Sequence, residues 1–195
     1  MQVLDIEQGS PEWFEARKGL PTASCFSKII TPKTGKLSAS VDAYIAELIA
    51  ETKEDTTEQI RSYWMERGRL LEGEARAWYE FETDSDVEQV GLILNHGVGY
   101  SPDGLADPKG GLEIKCPMPK THIKYLMAGE IPIEYKPQLH GGLYVAELDW
   151  IDFLSYCPGY NPLLIRVVPD DYTKQLAEAL AIFLERYEAA KKRVL

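Results

Sequence analysis

The chain has 195 residues, 45% of them apolar, and no apolar run of membrane-spanning length, which leaves a globular protein with one sizeable core. Its 31 acidic against 21 basic residues give a net charge of −10, so any nucleic-acid binding must rest on segregated positive charge rather than on bulk charge. Cys25, Cys116 and Cys157 are scattered without metal-ligand spacing, and the N-terminus lacks the pattern of a signal peptide; both point to reduced thiols in the cytoplasm.

Ser10-Pro11 reads as an N-cap followed by proline at the first helical position, with Glu12 in the first turn and Gly19 as the stop. A second helix is predicted from Thr22 or Ser24 to Ile30, followed by a loop over 31–35. Ser38 or Ser40 caps a third, with Tyr44, Ile45, Leu48 and Ile49 facing inward. Residues 58–81 form the clearest long helix, where Ile60, Trp64, Leu71, Ala75 and Trp78 trace an apolar stripe. Glu72 falls at or beside that stripe. An inward carboxylate needs a cation or a hydrogen-bond network, and the plainer alternative is an intrahelical pair with Arg69 or Arg76.

Strands are predicted at 87–95, 98–102 and 111–116, then a helix over 119–128 and another from Pro137 to about Glu147. Two more strands follow at 150–156 and 163–168. Asp170 or Asp171 caps a last helix whose Leu176, Leu180, Phe183, Leu184 and Tyr187 face the core. This order predicts an α/β protein, a mixed sheet flanked by helices, as one domain over 1–195.

The chemistry concentrates in 101–116. Glu113 and Lys115 are two apart in a strand-like run, so they share one face and Ile114 takes the other. The turn residues of 107–111 let the chain double back and bring Asp103 beside Glu113. Asp103, Glu113 and the Ile114 carbonyl are hard oxygen donors suited to Mg²⁺, and Lys115 adds a compact charge to orient a water or a phosphate. Glu-x-Lys alone also occurs in ordinary charged strands, where it is a simple salt bridge. Lys109, Lys115, Lys120, Lys124 and Lys136 surround this segment, and Arg61, Arg67, Arg69 and Arg76 lie on or near the long helix; acids crowd 47–58 and 80–88. His96, His122 and His140 form no metal-ligand pair and are expected to be structural or superficial.

Ser-Pro-Asp-Gly-Leu at 101–105 with Leu-Glu-Ile-Lys-Cys-Pro at 112–117 closely resembles the active-site segment of the phage lambda exonuclease and YqaJ-type viral recombinase family, a branch of the PD-(D/E)xK nucleases. The likeness extends to 8–17, to Gly-Leu-Pro-Thr-Ala-Ser at 19–24, to Gly68-x-x-x-Glu72 and to Tyr135-x-x-Gln138, in family order; Pro137 departs from the lambda pattern. The resemblance implies a restriction-endonuclease-like fold and a Mg²⁺-dependent 5′-to-3′ exonuclease on linear duplex DNA, yielding 3′ tails for strand annealing. Mn²⁺ would substitute, with two ions bound.

By the same resemblance the catalytic residues are Asp103, Glu113, Lys115, Glu72 and Gln138, and the metal ligands Asp103, Glu113, Ile114 and Glu72. Arg17, Ser24, Ser101 and Gln138 match residues that bind the 5′-phosphate. Trp13 and Tyr135 line the site, although Trp13 reads equally well as a core residue. The implied partners are duplex ends, a single-strand annealing protein and two further copies in a ring-shaped trimer, with no membrane. A structure-specific or restriction-type endonuclease and a catalytically silent DNA-binding protein remain as alternatives.

Overall fold

In the computed structural model of the chain, the described residues are 1–53, 63–106 and 108–195, with the backbone alone for 63–69. The expected roles of Ile60, Arg61, Trp64, Arg67, Arg69 and Asp107 lie outside this description.

Helix α1, Pro11–Arg17, starts as its sequence dictates: the Ser10 side chain accepts the Trp13 amide and proline stands at the first turn. The chain then turns at Gly19, whose φ of +64° favours glycine. The expected helix after Thr22 is a 3-10 segment, Ala23–Lys28. Helix α2 is Val41–Glu51 and helix α3 is Tyr63–Thr83. Helix α4, Pro119–Ala128, has the predicted bounds and ends on Gly129 in the left-handed region. Helix α5 is Lys136–Val145, and α6, Asp171–Val194, opens on a capping box between Asp170 and Thr173.

Among the described residues the strands are β1 Gln2–Leu4, β2 Val87–Glu88, β3 Leu92–Asn95, β4 Val98–Tyr100, β5 Gly104–Ala106, β6 Gly110–Lys115, β7 Trp150–Ser155 and β8 Leu163–Val167. They form an antiparallel sheet β1-β3-β4 and a mixed sheet β2-β5-β6-β7-β8 in which only β6 and β7 run parallel. The single strand expected over 87–95 is therefore two, one in each sheet. Strands β1 and β5 were not predicted.

Strand β6 is buried along nearly its whole length. Leu112 and Ile114 pack beneath α3 with Ala75, Tyr79 and Leu154, while a larger core between α5, α2, α6 and the sheet takes Tyr44, Leu139, Ile151, Phe153, Leu176 and Phe183. Alternation therefore turns Glu113 toward the α5 face. Helix α3 is clamped to the sheet by Asp152 on β7, which is buried and accepts the Tyr79 hydroxyl and both arms of Arg166, each at 2.8 Å. Among the described residues no helix is long and apolar enough to cross a membrane, and none of the three cysteines is in a disulfide.

Candidate active site

The β5–β6 hairpin builds the centre. Its register pairs Gly104 with Leu112, so the ladder ends one residue short of Asp103. The Asp103 amide donates to the Leu112 carbonyl at 3.2 Å, and the Asp103 carboxylate accepts the Ile114 amide at 2.6 Å. Asp103 thus closes the open edge of β6. In a strand the N–H and C=O of one residue point to the same edge, so the Ile114 carbonyl faces Asp103 as well.

Glu113 is 2% exposed. Its Oε1 accepts Lys115 Nζ at 2.5 Å and also Gln138 Nε2 from α5; its Oε2 accepts the Tyr100 hydroxyl from β4 at 3.4 Å. Burial raises the Glu113 carboxyl to about 7, with Lys115 opposing and the charge of Asp103 adding to the rise. Burial raises Asp103 too. For Lys115 burial acts the other way, but the charges of Glu113 and Asp103 outweigh it and hold the ammonium above its ordinary range. Lys115 also lies 5.4 Å over the Tyr135 ring, which bounds the site.

Glu72 reaches this neighbourhood from α3. Its Oε1 accepts Arg76 at 2.6 Å, the intrahelical pair left open by the sequence, and Arg76 also donates to the Asp103 carbonyl at 3.3 Å. Burial, then the charge of Asp103, raises the Glu72 carboxyl. The three acids interact, but no group of three His, Cys, Asp or Glu residues converges as a closed metal cage among the described residues.

A second cluster sits next along the chain. Arg17 donates to Ser101 Oγ and to Thr22 Oγ1, each at 3.1 Å, and stacks 4.1 Å over Trp13, whose indole N–H also donates to Ser101. Trp13 is therefore tied into this pocket through its polar edge and is only half-buried. Ser101 accepts two N–H groups and keeps its own proton to donate. Among the described residues Arg17 makes no ion pair; burial lowers its pKa, with Cys25, Tyr44 and Glu51 opposing, and its direct contacts are two hydroxyls and the Trp13 ring. Exposed Ser24 lies 3.4 Å from Thr22 Oγ1. The bridge between Thr22 and Gly99 carries the 22–24 segment to β4.

Gln138 was expected in both groups; its hydrogen bond joins Glu113. Arg76 was named from the sequence only as a possible partner of Glu72, and Thr22 only as a helix start within the matching 19–24 segment; Tyr100 carried no signal. His122 and His140 are buried and bonded, to Ser155 and Asn161 and to Thr173 respectively.

Residues 12–149 match the model of the YqaJ-like viral recombinase domain. The chain is similar to the alkaline exonuclease LHK-Exo of Laribacter hongkongensis, solved with dAMP, at 35% identity, 95% coverage of this chain and 96% of that one, with a TM-score of 0.84. A second structure of that enzyme gives 35% identity and a TM-score of 0.76 over 94% and 97%. A phage-related exonuclease of Haemophilus somnus 129PT shares the fold at 14% identity and a TM-score of 0.70 over 90% and 96%. Comparison with curated proteins gives no match.

Proposed function

The chain belongs to the family of the YqaJ-like viral recombinase domain, and from that premise we propose that it is a Mg²⁺-dependent exonuclease that digests one strand of linear duplex DNA from 5′ to 3′. The product would be a 3′ single-stranded tail for recombination by annealing. The observation that carries this reading is the chain path from Ser101 to Asp103, with only Pro102 between them. Two residues span at most roughly 7 Å. An arginine with no ion pair among the described residues therefore stands one short step from the half-buried Asp103, the buried Glu113 and a lysine.

Asp103, Glu113 and the Ile114 carbonyl offer hard oxygens only. Burial is the main cause of the raised Asp103 and Glu113 carboxyls, a cost that a bound cation would offset. That donor set suits Mg²⁺, which is content with one or two carboxylates and retains waters, and Mn²⁺ would replace it. When bound, the metal would lower the pKa of a water and stabilise charge building on the phosphate. Glu72, released by Arg76, would serve a second ion. Lys115, anchored on Glu113, orients the attacking water or the scissile phosphate. Arg17, Ser101 and Ser24 grip the 5′-phosphate, and Trp13 holds the guanidinium flat. In this reading Gln138 fixes Glu113, and Tyr135 walls the lysine.

The family resemblance further supports a ring-shaped homotrimer around DNA, a single-strand annealing protein as partner, a cytoplasmic setting, and the whole of 1–195 as one nuclease domain. The test is digestion of linear duplex labelled at either end, with 5′-phosphate or 5′-hydroxyl, with and without Mg²⁺, beside closed circular plasmid. Release of mononucleotides from the 5′ end of linear DNA alone is expected. Cutting of closed circles would instead establish an endonuclease, and binding without cleavage a silent protein.

A further inference from the structure

The Tyr100 hydroxyl is placed with unusual economy. The residue is 1% exposed, on β4, beneath the carboxylate of Glu113. Among the described residues Glu113 is the hydroxyl's hydrogen-bond partner, through Oε2 at 3.4 Å. Without that bond a phenolic O–H would be buried and unpaired, which costs free energy. The ring reaches this position because Gly142 on α5 leaves room for it: a Cβ on Gly142 would lie 2.6 Å from Tyr100 Cζ and 2.7 Å from Ile151 Cδ1. Strand β4 belongs to the other sheet, so this contact also links the two sheets at the site.

A carboxylate has about four acceptor directions, two on each oxygen. Lys115 and Gln138 occupy both directions of Oε1, and Tyr100 occupies one of Oε2. We propose that Tyr100 is a positioning residue that holds Glu113 so that a single direction, on Oε2, remains for a divalent cation. Glu113 then ligates through one oxygen, in fixed orientation. This rests on the metal-site reading above.

The probe is Mn²⁺ binding measured by calorimetry in the absence of DNA, on wild type, Tyr100→Phe and Glu113→Gln. Tyr100→Phe keeps the ring and removes only the hydroxyl, so melting should change little. Loss of one hydrogen bond that orients a ligand should weaken Mn²⁺ binding by about three- to tenfold. The Mn²⁺ concentration for half-maximal cleavage should rise in parallel. Unchanged Mn²⁺ affinity in Tyr100→Phe, with binding lost in Glu113→Gln, overturns the role of Tyr100 alone. Wild-type affinity in Glu113→Gln overturns the metal site and this proposal with it.

Discussion

Lys115 Nζ lies 2.5 Å from Glu113 Oε1, two residues along one strand and on one face of it. The pair is nearly enclosed, so each group depends on the other for charge balance: an isolated carboxylate or ammonium there would carry a desolvation cost of several kcal/mol. The arrangement keeps an ammonium beside the carboxylate proposed to hold the metal.

Replacement of Asp103, Glu113 or Lys115 by alanine should each lower cleavage by at least about two orders of magnitude. Asp103→Ala and Glu113→Ala should also weaken Mn²⁺ binding, whereas Lys115→Ala should largely spare it. Single-turnover cleavage together with calorimetry checks this, and wild-type turnover in either carboxylate variant would sink the mechanism.

Glu72 is the acid whose place is contested between Arg76 and the site. Glu72→Ala should lower cleavage by about tenfold or more while costing no more than about 1–2 kcal/mol of stability, because the largely buried Arg76 keeps the Asp103 carbonyl as a partner. Chemical denaturation and cleavage rates measured on the same preparation separate the two roles. Intact activity with a small stability loss would leave Glu72 as a partner of Arg76 only.

Proton competition at Glu113 sets a pH dependence. Its carboxyl is raised to about 7, so below that pH the protonated form predominates and must lose its proton to accept a metal. Mn²⁺ affinity should therefore fall by up to about tenfold per pH unit below 7 and level off above it. Calorimetry between pH 5.5 and 8.5 in two buffers of different ionisation enthalpy would show both the slope and the released proton. A flat affinity across this window would contradict the raised carboxyl.

Arg17→Ala should selectively impair 5′-phosphorylated ends. Loss of a charge-assisted contact should cost roughly 1.5–3 kcal/mol on that substrate and less on a 5′-hydroxyl end. Rates on both ends must be compared at fixed salt, because ionic strength alone changes DNA affinity. Equal losses would reduce Arg17 to general backbone attraction or folding.

Asp152→Ala tests a group outside the site. It would leave the buried Tyr79 hydroxyl without its acceptor, while half-exposed Arg166 turns to water, and should destabilise the fold by about 1–3 kcal/mol. Cleavage per folded molecule at low temperature should stay within a fewfold of wild type. A collapse of activity in fully folded protein would mean that the clamp on α3 sets the position of Glu72.

The features legible in the sequence are local ones. Ser10-Pro11, Pro119 and Asp170 mark helix starts because a cap or a fixed φ acts within one turn, and the alternation along Gly110–Lys115 assigns Glu113 and Lys115 to one face by pleat alone. The hairpin that returns Asp103 to β6 follows from turn chemistry over a few residues. Contacts between distant segments were decided by the tertiary structure. Strands β1 and β5 have three residues each, too few for a periodic signal, and exist because partners supply their ladders. The 87–95 segment divides because its two ends pair with different sheets. Whether Trp13 joins the core or the pocket depends on the Gly91 carbonyl and Ser101, 78 and 88 residues away, which share its indole N–H. Gln138 and Tyr100 meet at Glu113 only because α5 and β4 pack against the same face, and no spacing in the chain encodes that meeting.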